Sequence, residues 1–487
     1  MDYHVIQAFT YLMNNYQPGD RIYLFGFSRG SFVARILAGM LKKIGLLNKG
    51  LDVMVPTAWE IYEKWENDGR PCGIDNKTNS IAIEFKKTFC LVEVDIEFMG
   101  LWDSVNSSGL LNDRYFPCTS ITHHVKHIRH AISIDEKRSK FAQNLFDPLT
   151  YLCDRIRCDT ELEHSLYTNE SEALLGNTAK FFEYASTVTL EEISSDLLEV
   201  WFPGDHSDVG GGWAVDVDGH VLSNISLRWM LSFALEFGVL FKQGAICEFS
   251  TKFPTLDSVL SSHHNALCLR AGKHSVKRES TANLLKRVYE DITGGLSTPR
   301  SVGTSPDTNE LFCEPSMKAT TLPDEPIRKY DCRGDSSLMR SMLWRILEIL
   351  PVGHVSSNQH TGIFKRVFKP HLSKPRKIPE TCKVHWSLLW RAKFIKDHNF
   401  KNLPKLYKDL VSSLREHGSN SETNIDGNLF MSVADELESG SNHDDLIDCR
   451  SGVINVDAIS EGPDLKRFDW QKLPDELEFW ITHNIVC

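Results

Sequence analysis

The chain has 487 residues, of which 41% are hydrophobic and 24% charged, the balance of a globular protein with material for a sizeable core. Its formal net charge of −11 argues against partners that select basic patches, nucleic acid and anionic membrane surfaces among them. No apolar run reaches the ~18 residues of a membrane span, and Met1-Asp2-Tyr3-His4 does not begin a signal peptide. The twelve cysteines contain no C-x-x-C pair, which leads us to expect reduced thiols in a cytoplasmic protein.

Val5, Phe9, Leu12 and Met13 recur on one face of a helix predicted over residues 2–15. Pro18-Gly19-Asp20 makes a turn into an apolar strand at 21–27. The strand ends in Gly26-Phe27-Ser28-Arg29-Gly30. A buried helix follows, marked by Phe32, Ile36, Leu37, Met40, Leu41 and Ile44 and stopping near Gly45. Strand, G-x-S-x-G and helix in this order are the setting of a nucleophile elbow, with Ser28 at its apex. A helix-capping serine is the plainer alternative, because the same local geometry produces one.

Residues 51–68 are expected to be helical and 69–80 a polar loop. Val94–Trp102 is a second central strand, ending at Asp103. Leu197–Phe202 is a third, running into "PGDHSDVGGGW", and residues 222–241 form an apolar helix. His123, His124, His127 and His130 have i,i+3 and i,i+4 spacing, but no carboxylate completes a metal motif. Residues 270–335 are polar and aperiodic, as expected of a long loop or disordered insert. Leu338, Met342, Ile346 and Ile349 mark a helix stopping before Pro351. The stretch 417–463 is polar and acidic and is expected to be flexible.

A serine hydroxyl needs a base within hydrogen-bond reach and a third group to orient that base. Asp103 and His206 each follow a buried strand, and Ser28, Asp103, His206 is the chain order of an α/β-hydrolase triad. The simpler reading makes Asp103 a turn cap and His206 a loop histidine. His385, in "KVHWSLLWR", is the rival base, since its late position suits a fold whose histidine follows the last strand. Asp208 is a candidate to hold the glycine turn 210–212. The Arg29 amide, directly after Ser28, is the candidate oxyanion donor.

Together "PGDRIYLFGFSRGSFVAR", "FMGLWDSV", "RHAISIDEKRSKF", "VWFPGDHSDVGGGW" and "LSNISLRWML" resemble an uncharacterised α/β-hydrolase-like family of fungi and bacteria. That family includes the phospholipase effectors of type VI secretion. "LWRILEILP" and "KVHWSLLWR" resemble the C-terminal part of its fungal members. The resemblance spans about residues 1–395 and implies a mostly parallel sheet with flanking helices, a helical C-terminal part, and a triad of Ser28, Asp103 and His206. It also implies hydrolysis of an ester, with a phospholipid or other lipid acyl ester as the substrate class and no cofactor or metal. Family members usually begin further upstream, with a strand and an Asp-Gly-Thr turn. We therefore expect a core lacking its usual first strands, with residues 22–27 as an apolar edge and the second oxyanion donor missing. The expected organisation is a hydrolase-like core at 1–245, a polar insert at 246–335, a helical continuation at 336–400 and an acidic tail at 401–487. A catalytically silent interaction or scaffold protein on the same fold is the alternative function.

Overall fold

The computed structural model describes residues 2–67, 77–91, 94–105, 124–146, 196–213, 220–268, 328–329, 332–333, 338–351, 354–357, 364–367, 369–396, 398, 400–418, 446–448, 450–460 and 473–482. Most of the expected insert at 270–335, much of the acidic stretch at 417–463 and residues 69–76 of the expected loop lie outside them.

Helix α1 (Asp2–Asn15) buries Val5, Phe9 and Met13, the stripe its apolar spacing predicts. Strand β1 (Ile22–Phe27) feeds directly into α2 (Arg29–Ile44), and α3 (Val55–Asn67) and α4 (Lys77–Phe89) follow. Helix α4 corrects the expectation of a loop through residue 80. Ala82 and Phe85 pack into the core and hold this segment helical despite its polar composition. Strands β2 (Ile96–Trp102), β3 (Val125–Ser133), β4 (Asp196–Phe202) and the short β5 (Lys383–Val384) complete a sheet of order β1-β2-β3-β4-β5. Every neighbouring pair in it is parallel.

A parallel sheet requires cover on both faces, and this one has it. Ile22, Met99, Leu101 and Ile128 meet α1 to α4 on one side. Phe98, Ala131 and Val200 meet α6 (Ser223–Glu236), α8 (Ser387–Phe394) and α9 (Lys405–Gly418) on the other. Met99 and Leu101 facing away from Phe98 follows from the two-residue period of a strand. The architecture is α/β. Residues late in the chain belong to the second layer: Ile447, Ile454 and Leu477 are fully buried, and Trp229 Nε1 donates to the Ser451 carbonyl at 2.8 Å.

Among the described residues β1 is the last strand of the sheet and pairs with β2 alone. Its Phe25 is 44% exposed. Among the same residues no helix is long and apolar enough to cross a membrane. Cys90 and Cys382 are free thiols, but Cys247 is disulfide-bonded, against the expectation of reduced cysteines throughout. A pairing made by the tertiary fold leaves no spacing signature in the sequence.

Candidate active site

The register of the sheet fixes where the chemistry gathers. Phe27 pairs with Trp102, Trp102 with Ala131, and Ser133 with Phe202. The C-terminal ends of four strands therefore lie side by side, and the residues just past them share one edge. Ser28 follows β1, Asp103 follows β2, and His206 is the fourth residue past β4.

Ser28 has φ 60° and ψ −125°, a conformation that costs a non-glycine residue about 1–3 kcal/mol and has to be imposed by its surroundings. Gly26 makes the turn sterically possible: a Cβ there would lie 2.6 Å from the Gly30 oxygen and the Ser31 nitrogen. Ser31 Oγ closes the elbow by donating to the Gly26 carbonyl at 2.6 Å. Ser28 stands at the N-cap of α2 but makes no side-chain capping bond. Its Oγ lies 2.7 Å from His206 Nε2 instead, so the capping-serine alternative does not describe it. The Arg29 amide opens the same helix, where the dipole favours negative charge.

His206 is buried and begins a five-residue helix, α5 (His206–Gly210). Asp205 caps that helix by accepting from the Ser207 and Asp208 amides, and Asp208 returns a bond to the Asp205 N–H at 3.1 Å. Trp213 Nε1 donates to Asp205 at 2.8 Å. Asp208 does not hold the glycine turn. It binds the amide and the ring Nδ1 of His264, at 2.9 and 2.7 Å. The His206 ring is flanked by Phe27 and Phe141, each 4.6 Å away between centroids. Gly210 is required by the same packing, since a Cβ would stand 1.9 Å from the Phe27 ring.

His206 Nδ1 lies 2.5 Å from Asp103 Oδ2. With the proton on Nδ1 donated to that carboxylate, Nε2 is left to accept from Ser28. Asp103 is fully buried and accepts from the Ser133 amide (2.9 Å) and hydroxyl (3.2 Å). It also receives a two-pronged guanidinium, Arg376 Nη1 to Oδ1 at 2.6 Å and Nη2 to Oδ2 at 2.9 Å. Burial alone pushes the Asp103 carboxyl up, but Arg376 and His206 outweigh it and hold the group well below the usual carboxylate range. Burial likewise depresses His206, more than Asp103 raises it, so the imidazole is held neutral below the ordinary histidine value.

Arg376 carries no signal in the sequence. It sits in "SKPRKIPE", a loop with no motif spacing to Asp103, 273 residues away. His385 is not brought to Ser28. It follows β5 as expected, but its Nδ1 pairs with Ser387 Oγ at 2.8 Å, its Nε2 with Glu476 at 3.2 Å, and its ring stacks on Phe202. The histidine cluster is not helical either. Val125–Ser133 is a strand, so His127 and His130 project to opposite faces and pair separately with Asp196 (2.6 Å) and Glu199 (2.7 Å). His124 bonds the Ala38 carbonyl, and His123 lies outside the described residues.

These features define an α/β protein with a buried Ser–His–Asp constellation at the carboxyl edge of a parallel sheet. Residues 1–233 match the family described as "T6SS, Phospholipase effector Tle1-like, catalytic domain". A Saccharomyces cerevisiae relative, "Uncharacterized protein YEL023C", is 35% identical over 500 residues, 85% of this chain and 71% of its own length. The chain belongs to this family, as a fungal-type member. A solved structure, "Crystal structure of an uncharacterized protein from Pseudomonas aeruginosa", is 19% identical over 49% of this chain and 26% of its own. Its TM-score is 0.23.

Proposed function

We propose that this protein is a serine hydrolase of α/β-hydrolase type that cleaves a lipid acyl ester, a phospholipid being the substrate class the family suggests. The observation that carries the reading is the continuous contact from Ser28 Oγ through His206 to Asp103, at 2.7 and 2.5 Å. His206 Nε2 takes the Ser28 proton as Oγ attacks the ester carbonyl carbon. The Arg29 amide receives the negative charge that develops on the carbonyl oxygen. His206 then returns the proton to the leaving alcohol, and an acyl-serine remains. Water, deprotonated by the same nitrogen, attacks the acyl carbon and frees the acid and Ser28. Asp103 orients the ring and balances the charge on the imidazolium.

The lipid part of the proposal rests on helix α7 (Leu338–Ile349). Ser341, Trp344 and Glu348 face inward. Trp344 packs on Phe141, and Phe141 packs on the His206 ring. Met339, Met342, Ile346 and Ile349 line the opposite face and are 46–63% exposed. An apolar helical face beside a catalytic centre suits a substrate presented at a lipid surface.

The test is labelling of the full chain with a fluorophosphonate. Ser28 is expected to be modified, and Ser28→Ala to abolish both labelling and ester turnover. Labelling that persists in Ser28→Ala would sink the nucleophile assignment. A folded chain that neither labels nor turns over esters of any acyl length would favour the non-catalytic interaction protein.

A further inference from the structure

Asp135, His263 and His398 come from three distant parts of the chain and converge in the interior. Asp135 follows β3, His263 lies in the two-residue strand His263–His264, and His398 follows α8. One donor atom from each lies within 4.8 Å of the others. His263 Nε2 stands 3.4 Å from Asp135 Oδ2, and His398 Nε2 stands 3.3 Å from the same oxygen. Neither separation is a good hydrogen bond, which for nitrogen and oxygen falls at about 2.7–3.2 Å. Both have the length of a coordination edge. A tetrahedral zinc site with metal–ligand bonds of about 2.0–2.1 Å has edges of about 3.3–3.4 Å between donor atoms.

Two imidazoles and one carboxylate are a donor set that suits zinc; both histidines are buried and the Asp135 side chain is 9% exposed. The carboxylate is held from outside the cluster as a metal ligand usually is: the Gly204 amide donates to Asp135 Oδ2 at 2.8 Å, and the Asp135 amide donates back to the Gly204 carbonyl at 3.0 Å. The two imidazole rings stand 5.0 Å apart at an interplanar angle of 57°, so they are not stacked and their nitrogens can approach one centre from different directions.

We infer that Asp135, His263 and His398 bind a divalent cation, zinc by donor type and spacing, with water completing the tetrahedron. The role assigned is structural. Gly204 is two residues before His206, so the cation would tie the loop carrying His206 to two segments beyond residue 260. This assignment does not depend on the hydrolase reading.

The test uses tag-free full-length protein stripped with a chelator and titrated with zinc and, separately, with cobalt(II), metal content being measured after desalting. One tightly bound equivalent of zinc is expected, with a rise in melting temperature. Cobalt should give the intense visible absorption of a four-coordinate site. His398→Gln and Asp135→Asn are each expected to weaken binding by more than the ~10–100-fold that loss of an outer-shell partner costs, and to remove the thermal shift. A folded wild-type chain that retains no zinc and shows no saturable cobalt band overturns the assignment. Variants that bind as tightly as wild type overturn it too. If the variants do not fold, the cobalt spectrum of the wild type decides alone, since an octahedral spectrum is incompatible with the site.

Discussion

Asp103 is held from two sides, and the two holds act in opposite directions on His206. His206 is made more basic by the Asp103 charge and less basic by whatever neutralises that charge. Arg376, bonded to both carboxylate oxygens, does the neutralising. Removing it with Arg376→Met leaves a buried carboxylate short of its cation, a loss of the kind that costs about 3–5 kcal/mol of stability. It should also raise the His206 pKa. Below its pKa His206 is protonated and cannot accept from Ser28, so kcat/KM is expected to rise with pH through a single inflection below the ordinary 6.5, and in Arg376→Met the inflection should move upward. A purely structural role for Arg376 would lower activity and leave the inflection in place. Arg376→Lys keeps the charge but not the fork and is expected to restore part of the stability. His206 and Asp103 both have folded pKa values below their unfolded ones, so their stabilisation is complete above the unfolded values. It is lost as pH falls through the folded ones, His206 going first and Asp103 only in strong acid.

At the level of elements, periodicity located α7 but not its orientation. Leu338, Met342, Ile346 and Ile349 have the spacing that normally marks a core-facing stripe, yet Met342, Ile346 and Ile349 face solvent while Ser341, Trp344 and Glu348 face in. The reversal has a local cause. Glu348 accepts from the Ser139 amide at 2.7 Å and from His371 Nδ1 at 2.7 Å, and Trp344 fills the space beside Phe141. These bonds outweigh the exposure of three aliphatic side chains. If the exposed face meets lipid, Met342→Asp with Ile346→Asp should lower hydrolysis of vesicle-bound phospholipid by an order of magnitude or more. Hydrolysis of a short water-soluble ester and the melting temperature should barely change. Equal loss on both substrates would show that the helix supports the fold rather than the surface. Strands β1, β2 and β4, by contrast, were legible to within a residue or two, because buried parallel strands are short apolar runs. The strand Val125–Ser133 was missed as an element, since three of its nine residues are His or Arg inside the run, and its histidines suggested a helix instead.

Across the whole molecule, Ser28, Asp103 and His206 were visible in the sequence because each follows its own strand, and strand order constrains where loops meet. What surrounds them was not visible, because those contacts span 90 to 273 residues. Arg376 reaches Asp103, Arg228 binds Asp475 through Nε and Nη2 at 3.0 and 2.8 Å, and Glu476 occupies His385 and Trp386. Such pairings have no spacing rule. They also bear on where the fold can be cut. The family match ends at residue 233, and a fragment covering 1–245 retains Ser28, Asp103 and His206. It would nonetheless lack Arg376, strand β5, and helices α8 and α9, which share that core layer with α6. Removing part of the cover from one face of a parallel sheet exposes apolar surface that drives folding, and Asp103 would be left without its guanidinium. The 1–245 fragment alone is therefore expected to aggregate, or to remain soluble without reacting with a fluorophosphonate. Co-expression with 246–487 should restore labelling at Ser28 if the two pieces reassociate through the sheet face. A monomeric 1–245 fragment that melts cooperatively and labels like the full chain would show that the catalytic half folds by itself, and that the later segments are only appended to it.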